Sequence, residues 1–214
     1  MLVLKTANSQ KSIGFDTSRW KLQIPGPVYI SDFLKFKDKH FNLDNEGNFN
    51  LYLDGTEKGF TKTAKTPRVE LAQNYRWLIH EHKELEATIK AEVSEANLPL
   101  TILQIHGGIV HSVEKKPLLR VVIKNNELWA FVKIDTSAID TKKKLIKKNV
   151  LNTAVKYRIV VNKGILKLYV DNELSLEEDV SFWIYSNYFK IGAYCRENYG
   201  LYKVTLFDIK EVNH

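Results

Sequence analysis

Three short segments of this sequence alternate polar side chains with apolar ones. Residues two apart point to the same face of a β-strand, so within each segment the polar groups share one face and the apolar groups share the other. If the apolar groups face a core, the polar groups stand together on an accessible sheet surface. The polar sets are Arg68 with Glu70, Gln104 with His106, and Tyr188 with Lys190 and Tyr194.

These residue types suit the β-elimination of a uronic acid polymer. Arg68 supplies a fixed positive charge to the sugar carboxylate, which makes the proton on the adjacent carbon more acidic. Gln104 donates an amide N–H to the oxygen that gains charge in the transition state. A neutral His106 accepts the C5 proton, and the Tyr194 hydroxyl protonates the departing O4. The reaction needs neither a metal nor a cofactor, and the sequence contains no HExxH or paired CxxC motif.

Each polar set taken alone also has an ordinary structural explanation. Arg68 and Glu70 could form cross-strand ion pairs, and His106 could be a hydrogen-bonded structural histidine. The two tyrosines could be half-buried strand aromatics. Gly192, within the third segment, is expected to let a ligand approach the backbone closely. The combination of all three sets, rather than any one of them, favours a functional site.

Short alternating segments rich in β-branched and aromatic residues recur along the chain, divided by turn-forming clusters. They predict an all-β, single-domain β-sandwich, a jelly roll of two curved antiparallel sheets. We predict hairpin turns at Asn125-Asn126 and Asn162-Lys163-Gly164, and one short helix over residues 30–37. The basic run TKKKLIKKN at 141–149 is expected to be a loop between strands, either an ordinary solvated one or a mobile positive flap. The predicted strands are 20–24, 49–53, 68–73, 82–93, 101–106, 118–124, 127–134, 156–162, 165–170, 188–195 and 202–212.

Length, charge and cysteine content narrow the class of protein. The 214 residues predict one domain over 1–214, with 1–14 as a loose N-terminal segment. Lys and Arg number 32 against 25 Asp and Glu, and the net charge of +7 favours a polyanion: nucleic acid, anionic lipid or an acidic polysaccharide. The single cysteine, Cys195, excludes an internal disulfide framework.

No segment has the length of a transmembrane helix, and the first residues lack the apolar core of a signal peptide. We therefore expect no membrane partner. We expect a secreted or periplasmic location, with the leader absent from this chain, and the sequence leaves an intracellular location open.

The three polar segments also match, in order, motifs of the alginate lyases of polysaccharide lyase family 7. The family motif R(S/T)EL resembles RVEL at 68–71, Q(I/V)H resembles QIH at 104–106, and YFKAGxY resembles YFKIGAY at 188–194. The opening WKLQIPG at 20–26 and the closing strand that ends at His214 resemble the ends of that domain. The resemblance therefore covers nearly the full length.

The resemblance implies a jelly roll whose concave sheet forms an open groove for alginate, without cofactor or metal, and we expect a monomer. By position, Arg68 and Gln104 neutralise the carboxylate, His106 is the base and Tyr194 is the acid. For mannuronate, where the proton and the leaving group lie on the same side, Tyr194 could serve as both base and acid. The substrate-binding candidates are Glu70, Lys190, Tyr188, Arg120 and Arg196.

The sequence departs from the family pattern beside the site. Ala72 stands where the family usually has a second arginine, and Cys195 and Arg196 stand where it usually has Asn-Gln. These changes alter groove contacts, so another polyuronate such as glucuronan stays open as the substrate. A non-catalytic carbohydrate-binding module is the alternative from another class. A nucleic-acid binder is disfavoured, because the chain has no RNA-binding sheet signature and no helix-turn-helix pattern.

Ile105, between Gln104 and His106, bears on the preferred sugar. In the family that this chain resembles, isoleucine here accompanies activity on guluronate-containing blocks and valine accompanies mannuronate preference. Cores are closely packed, so an extra methylene at Ile105 can re-aim its two neighbours. We therefore expect internal cleavage with preference for guluronate or mixed blocks.

Overall fold

Two antiparallel β-sheets packed face to face make up this computed structural model, which describes residues 14–26, 28–59, 66–107, 116–137 and 139–213. Among these residues the helical element is one 3-10 turn over Thr17–Arg19, where the Asp16 side chain accepts a hydrogen bond from a backbone N–H. The strands are β1 (Trp20–Ile24), β2 (Val28–Ile30), β3 (Phe41–Leu43), β4 (Phe49–Asp54), β5 (Arg68–Gln73), β6 (Lys83–Val93), β7 (Leu100–Gly107), β8 (Pro117–Lys124), β9 (Glu127–Lys133), β10 (Thr141–Lys148), β11 (Ala154–Asn162), β12 (Ile165–Val170), β13 (Glu173–Asp179), β14 (Asn187–Cys195) and β15 (Leu201–Asn213).

The strand order confirms the predicted all-β jelly roll. The eight-stranded sheet, which we call the site sheet, has the order β10-β9-β8-β7-β14-β5-β1-β2. The seven-stranded outer sheet has the order β13-β12-β11-β6-β15-β4-β3. Every neighbouring pair is antiparallel. Neighbours that are distant in sequence, such as β14 between β5 and β7, are typical of jelly-roll crossings.

Alternation along the strands decides which side chains fill the space between the sheets. Leu103 and Ile105 of β7 are buried, and so are Phe189 and Ile191 of β14, as their spacing predicts. Burying one such side chain contributes about 1.5–3 kcal/mol relative to exposing it. The opposite surface of the site sheet, turned away from the core, is the site face.

Both predicted hairpin turns are confirmed. Asn125 and Asn126 have φ values of 54° and 59° between β8 and β9. Lys163 and Gly164 have φ values of 51° and 81° between β11 and β12. Two consecutive left-handed residues produce the turn whose twist matches that of the flanking strands, and asparagine and glycine adopt this conformation most readily.

The predicted helix over residues 30–37 is wrong. β2 ends at Ile30, and the following residues form turns and bends that carry the chain from the site sheet to β3 of the outer sheet. Phe33 within this connection is fully buried. A helix of eight residues has little stability of its own, so the burial of Phe33 at the crossing determines the local conformation.

The prediction that the basic run at 141–149 is a loop is also wrong. Thr141–Lys148 is β10, the edge strand of the site sheet, and it pairs with β9. Lysines are tolerated there because one side of an edge strand faces solvent, where charges also discourage pairing with other chains. Lys142 forms an ion pair with Glu178 at 2.6 Å, which attaches the strand to the neighbouring sheet.

Three more strands, β2, β3 and β13, were not predicted, because they are short or too polar to show alternation. The loose N-terminal segment predicted for 1–14 lies outside the described residues except for Gly14, which forms an isolated bridge with Lys210. His214 also lies outside them. No helix within the described ranges is long and apolar enough to cross a membrane.

Candidate active site

The strand order brings the three polar segments together. β14 lies between β5 and β7, so side chains from all three strands meet on the site face. The directly paired residues are Tyr194 with Arg68, Lys190 with Gln104, and Tyr188 with His106. The four residues with predicted catalytic roles therefore occupy three adjacent strands.

A buried ion pair forms the floor of this site. The Lys190 ammonium group donates to one Glu70 carboxylate oxygen, and both side chains are only 1% exposed. Gln104 Nε2 donates to the other oxygen at 2.5 Å. An Arg68 guanidinium nitrogen lies 3.7 Å from the same carboxylate. Two cations around one anion leave an excess of positive charge, which attracts a substrate carboxylate.

The electrostatics of the pair favour its ionised state. Burial by itself would raise the pKa of Glu70, but the charges of Lys190 and Arg68 outweigh burial and lower it. Burial also lowers the pKa of Lys190 to about 8, against the attraction of Glu70. The two residues were predicted to bind substrate. The structure places them in contact with each other beneath the site face, where Glu70 also contacts Gln104 and Arg68.

Arg68 is positioned by stacking as well as by charge. Its guanidinium carbon lies 4.1 Å from the centre of the Tyr194 ring. Arg68 is nearly buried, at 8% exposure, whereas Tyr194 is half-buried and reaches the site face. This contact fixes the orientation of the Tyr194 ring relative to the guanidinium group.

His106 has the protonation state that a general base needs. Its Nδ1 lies 2.9 Å from the Gly107 carbonyl oxygen. A carbonyl only accepts, so Nδ1 carries the proton and Nε2 keeps its lone pair. Burial, together with the charge of Lys190, lowers the pKa of His106 to about 3. The Tyr188 ring packs against the imidazole with 5.2 Å between ring centres.

We expect His106 to stay neutral over the range in which an ordinary histidine titrates. Its pKa is lowered from 6.5 to about 3, so its imidazole C–H signals should not shift between roughly pH 5 and 8. An NMR titration of the protein measures this, with His106→Gln to assign the signal. A His106 signal with a midpoint near its unperturbed value would contradict the described environment.

Gly192 serves packing, so the expectation that it admits a ligand to the backbone is wrong. Its φ is 145°, and a Cβ there would lie 2.4 Å from the Val69 carbonyl oxygen and 2.9 Å from Leu51 Cδ2. The position coincides with a shift of register between Ile191 and Tyr194. The absent side chain therefore makes room for β5 and the core.

Arg120 and Arg196 lie on the β8 side of the site. Arg120 pairs in register with Gln104, so it is one strand away from β7. Arg196 is exposed and follows Tyr194 by two residues, just beyond the end of β14. Both arginines line a hollow together with Trp129 of β9. Trp129 was not predicted as a site residue. The alternation of β9 places it on the outward face of the strand, and this could have indicated it.

The opposite side of the site carries further cations that the sequence analysis missed. Lys21 of β1 lies with its Nζ 4.4 Å from the centre of the Tyr29 ring. It pairs with Ala72, so it places a charge beside the position where the family motif has its second arginine. Arg76 stacks on Tyr188 at 3.9 Å. Arg76 follows β5 in an irregular segment, where alternation carries no information.

Two further features bear on other chemistry. Burial raises the pKa of the Cys195 thiol to about 12, so this residue is not a nucleophile at neutral pH. Within the described ranges, no group of three or more His, Cys, Asp or Glu side chains could hold a metal ion.

Comparison with known proteins identifies the class of enzyme. A family model described as alginate lyase matches residues 15–212, nearly the whole chain. The fold and this match define a polysaccharide lyase. The chain belongs to the alginate lyase family. A comparison with curated protein sequences finds no match.

Solved structures of alginate lyases share the fold. Alginate lyase A1-II', a member of polysaccharide lyase family 7, is similar with a TM-score of 0.82 at 20% identity, covering 94% of this chain and 96% of that one. Alginate lyase PA1167 from Pseudomonas aeruginosa has a TM-score of 0.82 at 22% identity, covering 94% and 100%. Alginate lyase AlyC3 has a TM-score of 0.79 at 20% identity, covering 92% and 90%.

Proposed function

We propose that this protein depolymerises alginate by β-elimination. The observation that supports this most directly is the joint placement of Arg68, Gln104, His106 and Tyr194 on three adjacent strands of a chain that belongs to the alginate lyase family. Two similar proteins have been solved in complex with a substrate or a sugar ligand. They are an A1-II' variant with the substrate GGMG, at 20% identity, and AlyC3 with dimannuronate, at 18% identity.

Each residue has a defined part in the proposed reaction. Gln104 donates one amide N–H to Glu70, which leaves its second N–H for the substrate. This N–H and the Arg68 guanidinium group neutralise the substrate carboxylate. His106 Nε2 removes the C5 proton, and the electrons of that bond form the C4–C5 double bond. The C4–O4 bond breaks, and the Tyr194 hydroxyl protonates the departing oxygen. Proton exchange with water restores both residues.

Product analysis tests the reaction. Incubation with alginate should give oligosaccharides whose new non-reducing ends contain a C4–C5 double bond, detected by ultraviolet absorbance and by mass spectrometry. Saturated ends would show hydrolysis and would overturn the proposal. Glucuronan in a parallel reaction tests the other polyuronate, and alginate binding without cleavage would show a carbohydrate-binding module.

Internal cleavage is the proposed mode of action, because cations lie on both sides of the catalytic residues. Lys21 and Arg76 lie on the β1 side, and Arg120 and Arg196 lie on the β8 side. A polyanion bound across the site therefore meets positive charge in both directions from the cleaved bond. Early in the reaction, the mean chain length should fall steeply before short products accumulate. Accumulation of a single short product from the start would indicate action at chain ends.

We expect polyguluronate or mixed blocks to be cleaved faster than polymannuronate. Guluronate places the proton and the leaving group on opposite sides of the ring, which suits two separate residues, His106 as base and Tyr194 as acid. Ile105 is fully buried directly beneath the strand segment that carries Gln104 and His106, so its volume affects how they are aimed. Initial rates on the three purified block types measure the preference, and faster cleavage of polymannuronate would contradict it.

His106→Ala provides a second test of this block preference. The substitution should reduce guluronate cleavage more than mannuronate cleavage if Tyr194 alone can act as both base and acid on the latter. Equal losses on both block types would mean that His106 serves both reactions alike.

A further inference from the structure

One end of the site face carries a hollow that the proposed catalytic roles do not use. It has a volume of about 520 Å³ and lies over β8, β9 and β10 beside the end of β14. Arginine, lysine and aromatic side chains line it together. Pockets with aromatic walls and a few convergent charged groups are typical binding sites for small polar units such as sugars.

Strand register connects this hollow to the catalytic residues through two rows of side chains across the sheet. The first row contains Lys190, Gln104, Arg120, Phe131 and Lys143. The second row contains Tyr194, Thr101, Val122 and Trp129. Adjacent strands are about 4.8 Å apart, so Trp129 is roughly 14 Å from Tyr194, three strands away. Trp129 is therefore too far from Tyr194 to contact the sugar whose bond is broken. The hollow extends from Trp129 towards the catalytic residues, because Arg120 pairs with Gln104.

Two guanidinium groups in the hollow have no carboxylate partner. Within the described part of the chain, neither Arg120 nor Arg196 forms an ion pair, whereas Glu127 at the rim is paired with Lys148. Arg120 and Arg196 line the same hollow, and burial together with the charge of Arg196 lowers the pKa of Arg120. Guanidinium groups bind carboxylates in fixed forked geometry, so an external carboxylate would relieve the repulsion between them.

The aromatic residues of the hollow complete the arrangement. Arg120 and Lys143 lie 5.3 Å and 5.8 Å from the centre of the Phe131 ring, which holds both cations on the same side of the hollow. Trp129, in the neighbouring row, is half-buried and belongs to the same lining. A sugar with its carboxylate towards the cationic row would lay the apolar face of its ring towards this indole.

We infer that this hollow is a distal subsite that binds one uronate residue of the polymer, with its carboxylate between Arg120 and Arg196 and its ring on Trp129. The inference rests on the proposed function and extends it, because it assigns binding to residues that do not touch the reacting bond. Interactions that are equal in the ground state and the transition state lower KM and leave kcat unchanged. The subsite should therefore make longer chains better substrates through KM.

The test uses the purified protein and alginate oligosaccharides of increasing length. For the wild type, kcat/KM should rise with length until the distal subsite is occupied. Trp129→Ala and Arg196→Gln should each remove most of that rise and increase KM for long chains about tenfold. For Arg196→Gln this ratio corresponds to one lost charge-assisted contact, and for Trp129→Ala to the lost packing of the sugar ring on the indole. The loss in both variants should grow with chain length, be smallest for oligosaccharides too short to reach the hollow, and appear in KM rather than in kcat. Because Arg196 is exposed, Arg196→Gln leaves the core intact. This variant therefore tests the subsite even if Trp129→Ala fails to fold.

Lys143 and Lys144 provide a matched control. They are adjacent on β10, but Lys143 pairs with Phe131 in the hollow, whereas Lys144 pairs with the core-facing Ala130 and points to the other face. Lys143→Ala should raise KM for long chains and Lys144→Ala should not, although both remove one charge. Equal effects would show general attraction between charges and would overturn the subsite. If kcat/KM of Trp129→Ala and Arg196→Gln rose with chain length as in the wild type, the subsite would be overturned while the proposed lyase function would stand. If the wild type were inactive on every uronate polymer, the proposed function itself would be overturned.

Discussion

Tyr194→Phe is expected to lower turnover of every block type by about 100-fold or more, the scale of one general acid contribution. The substitution keeps the ring that stacks under Arg68 at 4.1 Å and removes only the hydroxyl. The floor of the site should therefore stay in place, so that substrate still binds while the departing O4 has no proton donor. Initial rates from the absorbance of unsaturated ends measure turnover, and calorimetric titration with alginate oligosaccharides measures binding.

Tyr169→Phe is the matched control for this experiment. Tyr169 lies on β12 of the outer sheet, where it stacks with Arg158 at 4.0 Å, so the pair resembles Tyr194 with Arg68 but lies away from the site face. Its variant should have wild-type turnover. If Tyr194→Phe also kept near wild-type turnover on all block types, another group would have to be the acid.

Glu70→Ala is expected to destabilise the protein by about 3–5 kcal/mol, because it leaves the Lys190 charge buried without its partner. Glu70 also accepts the hydrogen bond from Gln104, so the variant should lose activity even where it is folded. Urea unfolding at neutral pH measures the free energy of unfolding. A variant with wild-type stability would show that the pair is not a structural element of the floor.

A double substitution separates the effect of lost charge from the effect of lost packing. Glu70→Gln with Lys190→Met removes both charges and keeps similar volume, so it should regain much of the stability lost in Glu70→Ala. Lyase activity should not return, because Gln104 and Arg68 lose the charged carboxylate that holds them in position. Asp32→Ala breaks an exposed pair with Lys35, at 65% and 84% exposure, and should leave stability nearly unchanged.

The fold was predictable where the alternation was regular. β7, β11, β12 and β14 were predicted within about two residues of their ends, because burial of one strand face leaves a period of two in the sequence. β10 was missed because an edge strand buries too little of its surface to show that period. Residues 30–37 were assigned the wrong structure because the crossing between the sheets, with Phe33 buried, is not encoded by local periodicity.

The sequence predicted which residues belong to the candidate site, but not which of them are buried. Alternation predicted that Glu70 and Lys190 share the face of the catalytic residues, and they do. It did not show that Glu70 and Lys190 form a buried ion pair, because the two residues are 120 positions apart in the sequence. Gly192 shows the same limit, because the groups that exclude a side chain there come from β5 and from Leu51 in the other sheet.

The sequence by itself determined which side chains share a strand face, where two hairpins turn, and which three segments carry acid, base and charge-neutralising groups. These properties depend on the direction of each Cβ along its own strand and on the conformations that asparagine and glycine adopt. Only the tertiary structure decided that β14 lies between β5 and β7, that Lys190 neutralises Glu70 beneath the surface, and that Trp129 lies in one row with Tyr194. Those relations depend on long-range strand pairing and register, which are set by how the two sheets bury their apolar faces together rather than by any one segment.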